Sequence, residues 1–491
     1  MFESAELGHK LSKEDYRKIE PVLRADLLDA QFALSQNGRF PVIILISGVR
    51  GAGKGETVQL LNEWMDPRHI HTHAFDTPSD EELERPPLWR YWRALPPKGK
   101  VGILFGSWYT QPIIDRVFKR TKERDLVQSI EEINHFERML ADEGTLILKF
   151  WFHLSKKRQK RRLKELASDP DTSWRVQPRD WEFFKKYDRF IKVSEQTLRE
   201  TSNAHAPWIV VEGSDPEFRA VTVGRTILES LRRRLASRKI ATVSDPPPLL
   251  PPVDRIRVLD RLDLTQAFPK PRYENEMDKL QRRLALLVRR PEFQKRTVVG
   301  VFEGMDAAGK GGAIRRVAAA LDPRLYRIIP IAAPSDEERA QPYLWRFWRH
   351  LPRLGRFTVY DRSWYGRVLV ERVEGFCSEP DWLRAYSEIN DFEEQITRHG
   401  GIVCKFWLQI SKDEQLRRFK LREKTRFKQF KITPEDWRNR KKWDDYQAAA
   451  SDLIDRTSTS HAPWTLVEAN DKHHARLKIL KTIVRTVEAS L

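Results

Sequence analysis

"SGVRGAGKGE", residues 47–56, and "EGMDAAGKGG", residues 303–312, decide the fold. Each sets a glycine ahead of a Gly–Lys pair: Gly48 before Gly53 and Lys54, and Gly304 before Gly309 and Lys310. Each follows an apolar run that ends in its first glycine, "FPVIILISG" (40–48) and "TVVGVFEG" (297–304), and each precedes a helical stretch. Strand, glycine-rich loop and helix N-terminus together point backbone N–H groups and the helix dipole at one spot, which suits a phosphate. Glycines allow the backbone close to the anion, and the lysine supplies a mobile cation. The plainer alternative is a glycine-rich turn; the strand before and the helix after weigh against it.

The two loops belong to a duplication. "PSDEE" occurs at 78–82 and 334–338, "LWR" at 88–90 and 344–346, "SWY" at 107–109 and 363–365, and "HAPW" at 205–208 and 461–464. Every pair is 256 positions apart, as Lys54 is from Lys310, and that register holds from Gly48 to Glu212. An offset kept that long implies two homologous domains. We expect an N-terminal domain over 1–243, a linker over 244–254 ("SDPPPLLPPVD") and a C-terminal domain over 255–491. The prolines of the linker fix φ and remove donors, so it reads as extended.

Within each copy, short apolar runs alternate with helical segments. They lie at 101–105, 145–152 and 208–212, matched at 357–361, 401–408 and 464–468. The fold class expected is α/β: two tandem P-loop kinase-like domains, each a parallel sheet flanked by helices with a helical lid. Before the second core, Met277, Leu280, Leu284 and Leu287 recur at helical spacing in "YENEMDKLQRRLALLVRR" (273–290), a stripe that suits core packing.

Composition narrows the function. The chain has 491 residues and a formal net charge of +19, which favours a polyanionic partner. No apolar run approaches the ~18 residues of a membrane span, so no membrane partner is expected. Two cysteines, Cys377 and Cys404, do not make a disulfide scaffold, which implies a reducing, cytoplasmic setting. No Cys/His cluster suggests zinc, and no G-x-S-x-G elbow suggests a hydrolase triad.

The second loop lacks the Ser or Thr that usually follows the lysine and binds Mg²⁺; Gly311 stands there. Carboxylates must then hold the metal. Asp306 lies inside the loop, and Asp361 ends the apolar run "RFTVYD". Alone, Asp306 would be a turn residue and Asp361 a helix cap; beside Lys310 they are read as metal ligands. Arg362, Arg367 and Arg372 follow, and "LWRFWRHLP" (344–352) adds Arg346 and Arg349. The basic stretch 417–443 reads as a lid that closes over phosphates, though for any one residue there a solvated helix face is the simpler account.

"GMDAAGKGG", "LWRFWRHLP", "DRSWYGR" and "TSTSHAPW" resemble the signatures of polyphosphate kinase family 2, over nearly all of 273–491 and more weakly over 40–212. The resemblance implies a P-loop kinase fold with a lid, and Mg²⁺-assisted phosphoryl transfer between inorganic polyphosphate and a nucleotide. It assigns the metal to Asp306 and Asp361, the transferring phosphate to Lys310 and Arg362, and lid roles to Arg422 and Lys431. Gly304, Ala307, Ala308, Gly309, Gly311, Gly312, Arg346, Arg349, Arg367 and Arg372 are the expected phosphate and substrate contacts. The lid departs from the family's run: Thr425-Arg426 and Phe430-Lys431 stand where Asp-Pro and Trp-Lys are common. The fused tandem form resembles the subgroup that converts AMP to ADP. The expected partners are therefore polyphosphate and AMP/ADP, with no specific nucleic acid and with self-association open. Alternatives are a polyphosphate-dependent ADP/GDP kinase, an ATP-dependent nucleotide kinase and, from another class, a basic nucleic-acid binding protein, for which no recognition motif is present.

The copies differ where chemistry is expected. The offset turns Asp306 into Arg50, Asp361 into Phe105 and Arg362 into Gly106, while Lys54 is kept. The first copy is expected to be non-catalytic.

Overall fold

A computed structural model describes residues 1–237, 248–250 and 256–491, with backbone alone at 427–428. The linker expected at 244–254 lies outside the described residues, apart from 248–250. Among the described residues two compact units form. The first takes in Met1–Pro78, Arg90–Val243 and Asp336–Pro342, the second Ser79–Trp89, Ser244–Ser335 and Tyr343–Leu491.

Each unit is built on a five-stranded parallel sheet. In the first, β1 (Val42–Gly48), β2 (Ile70–Ala74), β3 (Val101–Phe105), β4 (Leu146–His153) and β5 (Trp208–Glu212) run in the order β2-β3-β1-β4-β5. In the second, β6 (Thr297–Gly304), β7 (Tyr326–Pro330), β8 (Phe357–Asp361), β9 (Gly401–Gln409) and β10 (Trp464–Glu468) repeat it as β7-β8-β6-β9-β10. The central strands are mostly apolar because helices cover both faces, as parallel sheets require. β1 is buried from Val42 to Ile46, and β6 from Thr297 to Glu303. The edge strands β2, "IHTHA", and β7, "YRIIP", are missing from the sequence reading. Their mixed polar residues stay half in solvent, and one covered side does not demand an apolar run.

The helical stripe at 273–290 is the helix Lys270–Leu287, with Met277, Leu284 and Leu287 buried. It packs on Lys472–Ser490, and the matching pair in the first unit is Lys13–Asn37 on Pro216–Ala236.

β6 ends at the loop because Gly304 must. Its φ is 143°, and a Cβ there would overlap the Leu408 carbonyl of β9; Gly48 meets Phe152 of β4 the same way. The helices Lys54–Trp64 and Lys310–Ala318 begin at the two lysines. After β9 the chain forms the helix Lys412–Lys424, a 3₁₀ turn Arg426–Lys431 and the short helix Pro434–Lys441 before the long helix Trp443–Thr457. This is the lid expected from the basic stretch.

A buried ion pair fixes the chain after β8. Lys405 and Glu393 have side chains 0% exposed and meet at 2.7 Å. Lys405 also donates to the Tyr365 hydroxyl (2.9 Å) and the Thr457 carbonyl (2.6 Å), which uses all three of its protons. Trp364 Nε1 and the Tyr365 hydroxyl donate to Glu393 at 3.1 and 2.7 Å. Trp464 Nε1 donates to Thr457 Oγ1 at 2.9 Å, and His461 stands in the turn before it. The first unit holds the same network around Lys149, Glu137, Tyr109, Trp108 and Thr201. The repeated "SWY" and "HAPW" motifs are thus parts of one internal brace.

Removing one member of a buried pair leaves the other charge uncompensated. Lys405→Met should cost about 3–5 kcal/mol, seen as an earlier unfolding transition in a urea titration followed by tryptophan fluorescence. An unchanged midpoint would show that the brace is dispensable.

Candidate functional site

In the second unit the loop opens into a cleft of about 790 Å³. Its floor is the loop itself, Asp306, Ala307, Ala308, Gly309, Lys310, Gly311 and Gly312. Asp361 and Arg362 enter from the end of β8, Arg422 and Lys431 from the lid, and Arg476 from the last helix. Lys310 Nζ is held by the carbonyls of Gly304 (2.7 Å) and Met305 (3.4 Å), so the ammonium sits at the mouth of the loop.

The two acids stand where the sequence analysis expects a substitute for the missing hydroxyl. A Cβ on Gly311 would lie 3.7 Å from Asp361 Oδ2, so this carboxylate occupies the space beside the position that usually carries Ser or Thr. Asp306 is gripped on both oxygens: Arg362 Nη2 reaches Oδ1 at 3.2 Å, and Asn439 Nδ2 donates to Oδ2 at 2.9 Å. Among the described residues no group of three or more His, Cys, Asp or Glu converges as a metal cage.

Two residues of the loop and strand carry backbone strain. Ala307 has φ 62° and Arg362 φ 65°, in the left-handed region that costs a non-glycine residue about 1–2 kcal/mol. The first unit has glycine at both places, Gly51 at φ 78° and Gly106 at φ 78°.

Three site features have no place in the sequence reading. Arg418, 3% exposed, donates to the carbonyls of Ala307 and Ala308 (both 2.9 Å) and of Ala469 (2.7 Å), tying the loop to the strand end opposite. Glu303, the last side chain before the loop, is buried and accepts from Ser363 Oγ at 2.8 Å. Burial pushes its carboxyl above the usual carboxylate range, although Lys310 beside it works the other way. Asn439 is the third. The offset gives a signal for two of them: Glu303 faces Ser47 and Asn439 faces Phe183 in the first copy.

Four expected contacts lie outside the cleft lining. Arg346 Nη2 donates to the Ala332 carbonyl (3.1 Å), as Arg90 Nη1 does to Asp76 (3.0 Å) in the first unit, so this arginine closes a turn in both copies. Arg349 lies over the Trp345 ring at 4.6 Å. Arg367 pairs with Glu371 at 2.8 Å, and Arg372 with Asp452 at 2.8 Å and with the Tyr386 hydroxyl at 3.0 Å. Arg422 and Lys431 do line it, and Arg422 Nη1 donates to the Lys431 carbonyl at 3.1 Å.

The first unit's loop keeps its shape and loses its surroundings. Lys54 Nζ binds the carbonyls of Gly48 and Val49 at 2.8 Å each. Burial, with Arg50 adding to it, pulls the Lys54 ammonium down to about 7. Arg50 pairs with Asp180 and lies 4.3 Å from the centroid of Phe183. Glu56, the counterpart of Gly312, collects Arg219 (2.7 Å), Arg162 (3.3 Å) and Arg175 (3.9 Å).

Known proteins resemble this chain over its whole length. The sequence pattern of the family Polyphosphate kinase 2 (PPK2) matches residues 10–239 and again 268–491. A polyphosphate:AMP phosphotransferase of Pseudomonas aeruginosa is 59% identical over 491 residues, spanning 100% of this chain and 99% of its own. One from Acinetobacter johnsonii is 40% identical over 486 residues, with 96% of each chain covered. A crystal structure of a polyphosphate kinase 2 from Pseudomonas aeruginosa PA01 superimposes with a TM-score of 0.90 at 57% identity, covering 100% of this chain and 99% of that one. With both of its loops inside the matched regions, this chain is a tandem, two-unit member of the polyphosphate kinase 2 family.

Proposed function

We propose that the second unit transfers a phosphoryl group from inorganic polyphosphate to AMP, giving ADP, and that the first unit does not catalyse. The observation that carries the reading is the juxtaposition of Lys310, Arg362, Asp306 and Asp361 around one loop, with Asp361 filling the place beside Gly311. The choice of polyphosphate and AMP rests on the full-length likeness to relatives that bear those substrates in their names.

Phosphoryl transfer needs positioning and charge neutralisation more than a protein nucleophile. An oxygen of the AMP phosphate bonds to the terminal phosphorus of the chain. The bond from that phosphorus to its bridging oxygen breaks, and that oxygen leaves with the electron pair as the new chain end. Lys310 and Arg362 face the equatorial oxygens, where charge accumulates. The loop N–H groups hold the phosphate against the Lys310–Ala318 helix. Arg422 and Lys431, on the lid, close the cleft against water.

Asp306 and Asp361 would hold Mg²⁺, which would supply charge neutralisation on the bridging phosphates. Two carboxylates without a third protein ligand fit this ion, which keeps waters and takes its remaining ligands from substrate phosphate. Both cysteines are free, and among the described residues no helix is long and apolar enough to cross a membrane; a cytoplasmic setting accords with both.

Purified protein with Mg²⁺, polyphosphate and AMP should give ADP, resolved by ion-exchange chromatography, with ADP, GMP and ATP-only reactions as comparisons. If AMP yields no ADP, the substrate assignment fails. Asp361→Asn and Lys310→Ala should each lower turnover by about 10²–10³-fold, while Lys54→Ala should leave it within about threefold. An equal fall for Lys54→Ala and Lys310→Ala would overturn the one-site reading.

Arg362→Gly separates stability from chemistry. Glycine is the residue that the first unit places at this φ, so the variant should unfold no earlier than the parent and gain up to about 1 kcal/mol. It should lose turnover by about 10²-fold or more. A destabilised variant would show that the backbone strain is not real; full activity would remove Arg362 from the site.

A further inference from the structure

Behind Asp306 lies a polar chain that the loop motif does not contain. Asn439, on the short helix Pro434–Lys441, donates its amide to Asp306 Oδ2 at 2.9 Å. Its carbonyl Oδ1 faces the Tyr446 hydroxyl at 3.2 Å, and that hydroxyl also faces Glu374 Oε1 at 3.3 Å. Glu374 has a side chain only 6% exposed and is neutralised by Lys442 (3.1 Å) and Arg438 (3.3 Å).

The donors and acceptors in this chain run one way. Tyr446 has a single proton, and both of its neighbours are acceptors, so it is shared between them, which the two long distances match. A hydroxyl donating to Oδ1 turns the other end of the Asn439 amide, its NH₂, toward Asp306. Asn439 thereby meets the carboxylate with a donor and never with an oxygen.

The first unit supplies the control. The offset places Phe183 opposite Asn439, Phe190 opposite Tyr446 and Phe118 opposite Glu374. Phe118 and Phe183 pack edge to face at 5.0 Å, and Arg50, opposite Asp306, lies on Phe183. Lys186, opposite Lys442, sits over the Phe118 ring at 5.4 Å. The same helices therefore pack with three phenylalanines in place of the polar chain. The fold does not need Asn439, Tyr446 and Glu374; they occur with Asp306 and are absent without it. By contrast Gln415, which donates to the Asp306 main-chain carbonyl at 3.1 Å, is kept as Gln159 on the Arg50 carbonyl at 3.1 Å. Anchoring of the loop backbone is common to both units, and anchoring of the loop acid belongs to the second alone.

We infer that Asn439 is a positioning residue for Asp306, oriented by Tyr446 against Glu374. It ties the base of the lid to the carboxylate that the proposed reaction uses, and so the inference rests on that reading for its catalytic consequence. Carboxylates that bind metals are oriented by such outer hydrogen bonds, and their loss commonly costs 10–100-fold in metal affinity or activity.

Full-length Asn439→Ala, Tyr446→Phe and the double variant test this. Mn²⁺ binding, measured by electron paramagnetic resonance with polyphosphate present and no nucleotide, should weaken about 10-fold in Asn439→Ala. Its kcat should fall by a similar factor, with KM for AMP within twofold and an unchanged melting temperature. Tyr446→Phe should show a smaller loss in both readouts. The double variant should be no worse than Asn439→Ala, because the two residues act in series. Parental Mn²⁺ binding in Asn439→Ala, or effects of the two substitutions that simply multiply, would overturn the inference. Should Asn439→Ala fail to fold, Tyr446→Phe with parental Mn²⁺ binding would also overturn it. If the parent makes no ADP from AMP, the functional reading fails instead, and the Mn²⁺ arm still decides the positioning.

Discussion

The placement of the site depends on a lysine and a glutamate shut away from water. Lys405 on β9 and Glu393 on the Glu379–Arg398 helix are both 0% exposed. A buried charge is tolerable only when its partners are all in place. For Lys405 they come from three separate segments, and one of them is Tyr365, four residues beyond Asp361. The chain leaving β8 therefore has little choice of path. Asp361 ends the strand under a main-chain bond from Ile331, and Arg362 turns back to bond Phe302 at 3.1 Å. The brace presents both side chains to the loop. The first unit has the same brace around Lys149 with neither Asp nor Arg in front of it, so the brace belongs to the fold and does not depend on the acids.

The chemistry carries costs that the first unit has shed. Ala307 and Arg362 hold left-handed backbone that the first copy gives to glycine, and Glu303 is a buried acid where the first copy has Ser47. Strained dihedrals and perturbed acids gather at sites where function over-determines the structure. A duplicated chain shows this within one molecule: same topology, same register, same brace, with the strained residues beside the loop on one side only.

What the sequence makes legible is what is local or periodic. The loop spacing, the central strands, the lid's position and the constant offset all lie along the chain, and the sheet confirms each strand predicted from them. β2 and β7 are illegible because these two edge strands leave most of their side chains in or near solvent, whereas the other edges, β5 and β10, keep enough buried residues to write an apolar run. Arginines are harder to read for a different reason. In "LWRFWRHLP" and "DRSWYGR" they are dense and close to the loop in sequence, yet Arg346 closes a turn and Arg367 and Arg372 pair with acids. A guanidinium satisfies a carboxylate or a carbonyl as readily as a phosphate, and only geometry tells them apart. Arg418 is the converse, a residue hidden in a run of basic positions that ties two loop carbonyls to two beyond β10. Asn439 carries no motif at all; only its replacement by Phe183 marks it.

The position two residues after the lysine sharpens the difference between the units. A loop of converging N–H groups, backed by a helix dipole and basic side chains, favours an anion whether or not one arrives from solution. The first unit provides its own. Glu56 stands in the first turn of its helix, where the dipole favours a carboxylate, and draws in Arg219, Arg162 and Arg175. Arg219 then lies across Gly53 so closely that a Cβ there would overlap its guanidinium. In the second unit the same position is Gly312, with Arg476 3.3 Å from where a Cβ would stand, and Arg418 is turned onto the loop carbonyls. Glu56 has no acidic counterpart at that position, which under the proposed reading leaves the loop to an external phosphate. The acids of the second unit stand instead at Asp306 and Asp361, where the proposed reading has them hold a cation. The first loop thus meets a carboxylate of its own helix, and under the proposed reading the second meets its counter-charge in substrate phosphate.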